Sequence, residues 1–146
     1  MKTLEVNKLF KSYAGKAAVK NLSFSVNPGE ILGIIGPNGA GKSSTIKMIL
    51  DFIKPDSGEI KIFGQQMNET LKNEIGYLPE ERGLYKKLTA IDLIVYLATL
   101  KGMDKNTARN RANVLLKETG MLESKKKKNK EMSKGMGQII QFIVTV

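Results

Sequence analysis

A glycine-rich segment constrains this chain more than any other feature. Residues 36–43 read Gly-Pro-Asn-Gly-Ala-Gly-Lys-Ser, which fits the pattern G-x-x-x-x-G-K-[ST] at every fixed position, and they follow the apolar run 31–35. Glycine permits backbone conformations in which successive N–H groups point at anionic oxygens. The lysine adds a mobile positive charge, and the serine opens a helix where its hydroxyl can ligate Mg²⁺. The segment therefore predicts a nucleoside triphosphate site between a buried strand and a helix.

The composition is that of one globular domain without disulfides. The chain has 146 residues, is 41% hydrophobic and contains neither cysteine nor histidine. A thiolate nucleophile and an imidazole base are therefore excluded. No apolar stretch approaches the ~20 residues that a membrane span needs, and the polar start does not resemble a signal peptide. We expect a cytoplasmic protein.

A lysine-rich segment accounts for part of the net charge of +10. Residues 125–130 read Lys-Lys-Lys-Lys-Asn-Lys. The favoured interpretation is a solvated loop or fraying helix end, and contact with anionic lipid is the next alternative. Nucleic acid is a third alternative, but no aromatic residues alternate with these lysines to stack on bases. We therefore do not expect nucleic acid as a partner.

Hydrophobic spacing predicts strands in the first half of the chain and helices in the second. Strands are predicted over five short segments, residues 4–9, 18–26, 31–35, 59–63 and 75–78. Helical spacing predicts one helix from Lys42 to about Phe52. Two more are predicted, one opening at the capping residue Thr89 and one running from about Lys105 to Thr119. The last two helices are expected to form one subdomain.

Three further segments accompany the glycine-rich loop. Lys-Ser-Tyr stands at 11–13, Ile-Gly-Tyr-Leu-Pro-Glu at 75–80 and Met-Ser-Lys-Gly-Met at 132–136. In order and spacing, the four segments resemble the nucleotide-binding domain of ABC transporters over essentially the whole chain. The resemblance implies an α/β P-loop NTPase fold with an N-terminal antiparallel β portion and a helical insertion. It also implies a nucleotide-binding core over 1–87 and an incomplete helical subdomain over 88–146.

The resemblance implies ATP and Mg²⁺ as ligands. Tyr13 matches the family's aromatic residue that stacks on adenine, although a half-buried strand tyrosine is the alternative. Ser43 would ligate Mg²⁺. The remaining ATP contacts would come from the loop and the start of its helix, namely Gly36, Pro37, Asn38, Gly39, Ala40, Gly41, Lys42, Ser43 and Ser44.

Glu80 departs from the family pattern. It stands where the family usually has a glutamine that touches Mg²⁺ and the attacking water. A carboxylate also suits a hard cation, so Glu80 is a predicted Mg²⁺ ligand. The surrounding residues 78–85 resemble those of bacterial ATPases of ABC-2-type exporters. The alternative is an unrelated acidic surface loop.

The segment around Ser133 is similar to the ABC signature motif, which opens a helix. In the family this motif caps the γ-phosphate of the ATP held by a second subunit. Ser133, Lys134, Gly135 and Met136 would make those contacts here. The alternative for Ser133 is a plain helix N-cap.

No acidic residue follows Glu131, whereas the family places an apolar strand ending in Asp-Glu, the Walker B motif, after the signature helix. We therefore interpret the chain as a fragment of a longer ATPase subunit, truncated before Walker B. It is expected to bind ATP without hydrolysing it, and we identify no catalytic residue in it.

The resemblance also implies partners for the full-length subunit. It would form a head-to-tail dimer with a second ATP-binding subunit, and ATP hydrolysis would drive export by an integral membrane permease. It would be peripheral on the inner face of the cell membrane. Two alternatives stay open, a nucleotide-binding module without turnover and a soluble ABC protein acting on ribosomes or DNA.

Overall fold

The computed structural model describes residues 2–79, 85 and 87–146. These residues form two compact units, Met1–Ile75 and Gly76–Val146. The first unit contains a sheet and the helix that follows the glycine-rich loop. The second unit is helical.

The first unit is built on a three-stranded antiparallel sheet. Its strands are β1 (Leu4–Tyr13), β2 (Lys16–Val26) and β3 (Ser57–Ile62), in the order β2-β1-β3. β1 and β2 form a hairpin whose turn places Ala14 and Gly15 at φ 47° and 77°. Positive φ at both turn positions matches the right-handed twist of paired strands. The predicted antiparallel β portion is confirmed.

Helix α1 (Lys42–Ile49) completes the core of this unit. Met48 of α1 is buried with Val6, Leu9 and Val19 of the sheet. Val6 and Leu9 are three residues apart, a spacing that would place them on opposite faces of a regular strand. The pairing of β1 with β2 shifts register between them, so that both side chains join the same core.

A short helix, α2 (Glu69–Asn73), was not predicted. It begins at Asn68, whose side chain accepts a hydrogen bond from the Leu71 N–H at 2.9 Å. Leu71 is buried. An asparagine followed by Glu-Thr-Leu is a helix start signal, so this element could have been found in the sequence.

Two predicted strands are wrong. Residues 31–35 and 75–78 form no β-ladder with any other part of the chain that the structure describes. Ile31 and Ile35 are 101% and 95% exposed. A strand exists through hydrogen bonds to a neighbouring strand, and in the described part of the chain neither segment joins the sheet of β1, β2 and β3. An apolar sequence is therefore typical of a buried strand, but it does not determine whether a neighbouring strand is present to pair with it.

The second unit packs three helices, α3 (Ala90–Leu100), α4 (Lys105–Glu118) and α5 (Lys134–Thr145). The helices predicted from Thr89 and Lys105 are confirmed. In the described part of the chain, no helix is both long enough and apolar enough to cross a membrane. The buried core of the unit comprises Ala90, Ile91, Leu93, Ile94, Val95, Ala108, Ala112, Leu116, Met121, Met132, Ile140 and Ile143.

The backbone of the lysine-rich segment is hydrogen-bonded to the start of α3. The carbonyls of Lys125 and Lys127 accept hydrogen bonds from the N–H groups of Ile91 (3.0 Å) and Ala90 (3.1 Å). The first N–H groups of a helix lack intrahelical partners, so these two carbonyls satisfy part of the N-terminus of α3. Residues 126–128 are exposed, as expected for a solvated loop.

Candidate nucleotide-binding site

The glycine-rich loop makes a turn and then enters α1. The Ala40 N–H donates to the Pro37 carbonyl at 3.2 Å. Gly39 has φ 83°, and Gly41, the N-cap of α1, has φ 86° and ψ 3°. These left-handed conformations favour glycine. The loop residues 36–40 are exposed and available to a ligand.

The loop lies directly on the backbone of β2. A Cβ added at Gly41 would be 2.3 Å from the Ala18 carbonyl oxygen and 3.0 Å from Val19 Cγ2. A Cβ at Gly36 would meet the Ala40 Cβ at 3.2 Å. Glycine at 41 lets the end of the loop pack against β2, and glycine at 36 lets the start of the loop approach Ala40 closely. The loop is thereby held against the sheet while residues 36–40 stay exposed, and backbone N–H groups of such a loop can bind a phosphate group.

Lys42 lies over the loop. Its Nζ donates to the Gly36 carbonyl at 2.7 Å and to the Pro37 carbonyl at 2.8 Å. The first turn of α1 contains no acidic residue. An ammonium group and a helix N-terminus, both positive, thus meet at one exposed loop. This arrangement is chemically suited to an anion.

Tyr13 contacts the start of α1. It is the last residue of β1, is 47% exposed, and its Oη donates to Ser44 Oγ at 3.4 Å. The two residues are 31 positions apart in sequence. The structure therefore brings the predicted adenine-stacking residue beside the predicted phosphate loop.

Asp56, which sequence reasoning did not select, is bound to the end of β1. Its carboxylate accepts hydrogen bonds from Lys11 Nζ (2.6 Å), the Ser12 N–H (2.7 Å) and Ser12 Oγ (2.9 Å). Lys11 Nζ also lies 5.7 Å from the centroid of the Tyr13 ring. The sequence offered only a helix stop at Pro55-Asp56-Ser57-Gly58, and no local pattern links positions 44 residues apart.

These contacts make the stability of the fold depend on pH. The Lys11 ammonium first, and then the Ser12 N–H and hydroxyl, lower the pKa of Asp56 from 3.8 to about 2. Because the pKa is lower in the folded state, the contribution is present above pH 3.8 and is lost as the pH falls towards 2. We expect urea unfolding midpoints to decrease over this range. In Asp56→Asn this part of the decrease should be absent, and an identical decrease would contradict the assignment.

The predicted signature residues lie in the second unit, at the start of α5. Ser133 is the N-cap, and its Oγ accepts a hydrogen bond from the Met136 N–H at 3.2 Å. Ser133, Lys134 and Gly135 are exposed. The alternative of an N-capping serine thus describes the observed geometry. Glu80, the predicted Mg²⁺ ligand, lies outside the described residues.

The cap should contribute measurably to stability. Ser133→Ala is expected to lower the free energy of unfolding by about 1 kcal/mol, because the Met136 N–H loses its acceptor. Ser133→Asn, which can also accept this bond, should retain most of the stability. Urea unfolding followed by circular dichroism measures both. Equal losses in the two variants would show that the cap is not the source of the effect.

A glycine-rich loop with Lys42 and Ser43 at its end, leading directly into a helix, defines the chain as a P-loop NTPase. The family model described as ABC transporter matches residues 19–146. The chain therefore belongs to the ABC transporter family and is an ATP-binding domain of that family.

Similar proteins agree with this assignment. An uncharacterized ABC transporter ATP-binding protein of Bacillus subtilis, YhaQ, is 40% identical over 98% of this chain and 48% of its own length. The linearmycin resistance ATP-binding protein LnrL of the same organism is 38% identical over 95% of the chain and 46% of its own length. A solved ATP-binding subunit of an ABC transporter matches 98% of the chain and 61% of its own, with a TM-score of 0.82 and 32% identity. The chain spans about half the length of the curated relatives it matches.

Proposed function

We propose that this chain belongs to the ATP-binding subunit of an ABC exporter and is the part of that subunit that binds ATP. The observation that carries the proposal is the position of Lys42, whose ammonium lies over an exposed glycine-rich loop at the N-terminus of α1. The carbonyls of Gly36 and Pro37 hold the ammonium only with neutral oxygens. Phosphate oxygens would replace these carbonyls as acceptors for the Lys42 ammonium, because charge-assisted hydrogen bonds to phosphate are stronger.

Each part of the site has a proposed role. The N–H groups of residues 36–44 and the Lys42 ammonium hold the phosphates, and the Tyr13 ring stacks on adenine. The Ser43 hydroxyl, exposed in the first turn of α1, ligates Mg²⁺, with Glu80 as a second oxygen ligand. Mg²⁺ held by these oxygens would supply positive charge that offsets the charge of the phosphates. The Tyr13–Ser44 hydrogen bond connects the base-binding and phosphate-binding ends of the site.

We further propose that these 146 residues bind ATP without hydrolysing it. Hydrolysis needs a group that orients water at the γ-phosphate. The sequence contains no histidine and no acidic residue after Glu131, where the family places its catalytic carboxylate. Glu80 is the residue to suspect should turnover be observed.

The partners are proposed from the signature segment and from the relatives. In the N-cap, the Ser133 oxygen accepts a hydrogen bond, so its hydroxyl proton remains able to donate to a phosphate oxygen. Ser133, Lys134, Gly135 and Met136 would thereby contact ATP held by a second ATP-binding subunit. The resistance function in the name of LnrL favours export. An integral membrane permease would be the other partner, and the protein would be peripheral on the inner face of the membrane.

We also propose that the chain divides into two functional segments. Residues 1–87 would form the nucleotide-binding core, and 88–146 would belong to the helical subdomain that carries the signature. Position 13 and positions 36–44 fall in the first of these segments, whereas 133–136 fall in the second. One segment would hold the chain's own ATP and the other would serve its partner's.

Calorimetry and a phosphate-release assay test the central proposal. Titration of the chain with ATP and Mg²⁺ is expected to show one binding site and no phosphate release. Removing Mg²⁺ with a chelator should weaken binding, because the phosphate charge is then less neutralised. Absence of ATP binding would refute the proposal, and phosphate release would refute the absence of hydrolysis.

A further inference from the structure

We propose that Asp56 is a positioning residue for recognition of the nucleotide base. It holds the end of β1 in place, so that the Tyr13 ring is fixed where adenine can stack on it. This inference rests on the proposed role of Tyr13. It adds a carboxylate that would never touch the nucleotide and that neither the sequence motifs nor the resemblance assigns.

The end of β1 lacks strand pairing on one side. Pairing with β3 reaches Phe10, opposite Ser57, and does not extend to residues 11–13 in the described structure. Asp56 supplies hydrogen bonds that a paired strand would otherwise make on this side of β1. Its N–H donates to the Phe10 carbonyl at 3.0 Å, and its carboxylate accepts from the Ser12 N–H. A side chain and a backbone group of one residue thus continue the hydrogen bonding of the sheet.

Pairing on the other side of β1 is irregular at the same place. The register with β2 shifts between Leu9 and Lys11 and again between Lys11 and Ser12. Such shifts interrupt the ladder and bend a strand. β2 still pairs with Ser12 and Tyr13 beyond these shifts, and Asp56 holds the other side of β1 at the same place. Both sets of contacts therefore determine the direction in which β1 presents Tyr13.

Asp56 also fixes the cation beside the ring. Lys11 Nζ is bound to Asp56 Oδ1 at 2.6 Å and lies over the Tyr13 ring, and the Lys11 side chain is only 17% exposed. A cation over an aromatic face is attracted to it. The ring is consequently held on one face by Lys11 and at its hydroxyl by Ser44. Adenine stacking requires only the face of the Tyr13 ring opposite Lys11.

Comparing a ligand that has a base with one that lacks it tests this inference. The ligands are ATP and inorganic tripolyphosphate, each titrated with Mg²⁺ into the 146-residue chain. Asp56→Ala is expected to weaken ATP binding by about 5-fold, a part of the effect of losing a base–aromatic stack, and to leave tripolyphosphate binding unchanged. Glu59→Ala is the matched control, since it removes an exposed β3 carboxylate paired with Lys61. It should affect neither ligand.

A double-mutant cycle separates positioning from general stabilisation. In a Tyr13→Ala background, Asp56→Ala should weaken ATP binding no further, because both changes remove the same interaction. Additive losses, or equal losses for ATP and tripolyphosphate, would overturn the inference. If Tyr13→Ala weakens ATP binding but Asp56→Ala does not, only the inference fails. If Tyr13→Ala leaves ATP binding unchanged, the proposed stacking fails and the inference fails with it.

Discussion

Lys42→Ala is expected to weaken binding of ATP and Mg²⁺ by about 100-fold, the largest effect of any single side chain in the site. Lys42 Nζ already makes two hydrogen bonds at the loop. Hydrogen bonds to charged groups contribute about 1.5–3 kcal/mol each, and about 2.7 kcal/mol corresponds to a 100-fold change in affinity. Titration calorimetry on the purified chain measures the change.

Lys47→Ala is the control for the loss of positive charge. Lys47 is an exposed residue in the last turn of the same helix, so its removal changes the net charge equally without touching the loop. We expect its effect on ATP affinity to be less than about 2-fold, since an exposed charge that makes no contact with the loop acts only through solvent-screened electrostatics. Similar losses in both variants would show that Lys42 acts only through overall charge.

Gly41→Ala is expected to destabilise the first unit by about 3 kcal/mol and to abolish ATP binding. Two costs add at this position. An alanine at φ 86° is strained by about 1–2 kcal/mol. Its Cβ would also lie 2.3 Å from a backbone oxygen of β2, and such overpacking costs about 1–3 kcal/mol. The loop can relieve this contact only by moving away from the sheet, which disrupts the phosphate cradle.

Gly39→Ala separates these two costs. Gly39 has nearly the same conformation, φ 83°, but no atom lies within 4 Å of the added Cβ. We therefore expect a loss of about 1–2 kcal/mol from strain alone. Urea unfolding followed by circular dichroism compares the variants. Equal destabilisation by the two substitutions would indicate that the close approach of Gly41 to β2 has no energetic consequence.

The phosphate loop and the helices could be predicted from the sequence because their signals are local. A motif of eight residues specifies the loop, and the N-caps Thr89 and Asp104 mark the starts of α3 and α4. A serine before a helix is also an N-cap signal, and the bond that Ser133 Oγ accepts from the Met136 N–H has the geometry of a cap. Patterns within one or two turns of chain determine such elements.

Features that depend on distant residues could not be predicted in the same way. Residues 31–35 have the composition of a buried strand, yet a strand requires a partner that no local pattern provides. The link between Asp56 and Ser12 joins positions 44 residues apart. Tyr13 and Ser44 were both selected as site residues, but their contact follows from the path of β1 past the start of α1.

The lysine-rich segment contacts α3 through backbone carbonyls, and Lys125 Nζ also donates a side-chain hydrogen bond to Asn113 Oδ1 of α4 at 3.2 Å. Only the carbonyls of Lys125 and Lys127 bond the Ile91 and Ala90 N–H groups, and every amino acid carries a carbonyl. Residues 126–128 can therefore change from basic to neutral or acidic while the start of α3 keeps its partners. The charge of this exposed surface can thus be altered by substitution at 126–128 without removing the backbone hydrogen bonds that hold the helical unit.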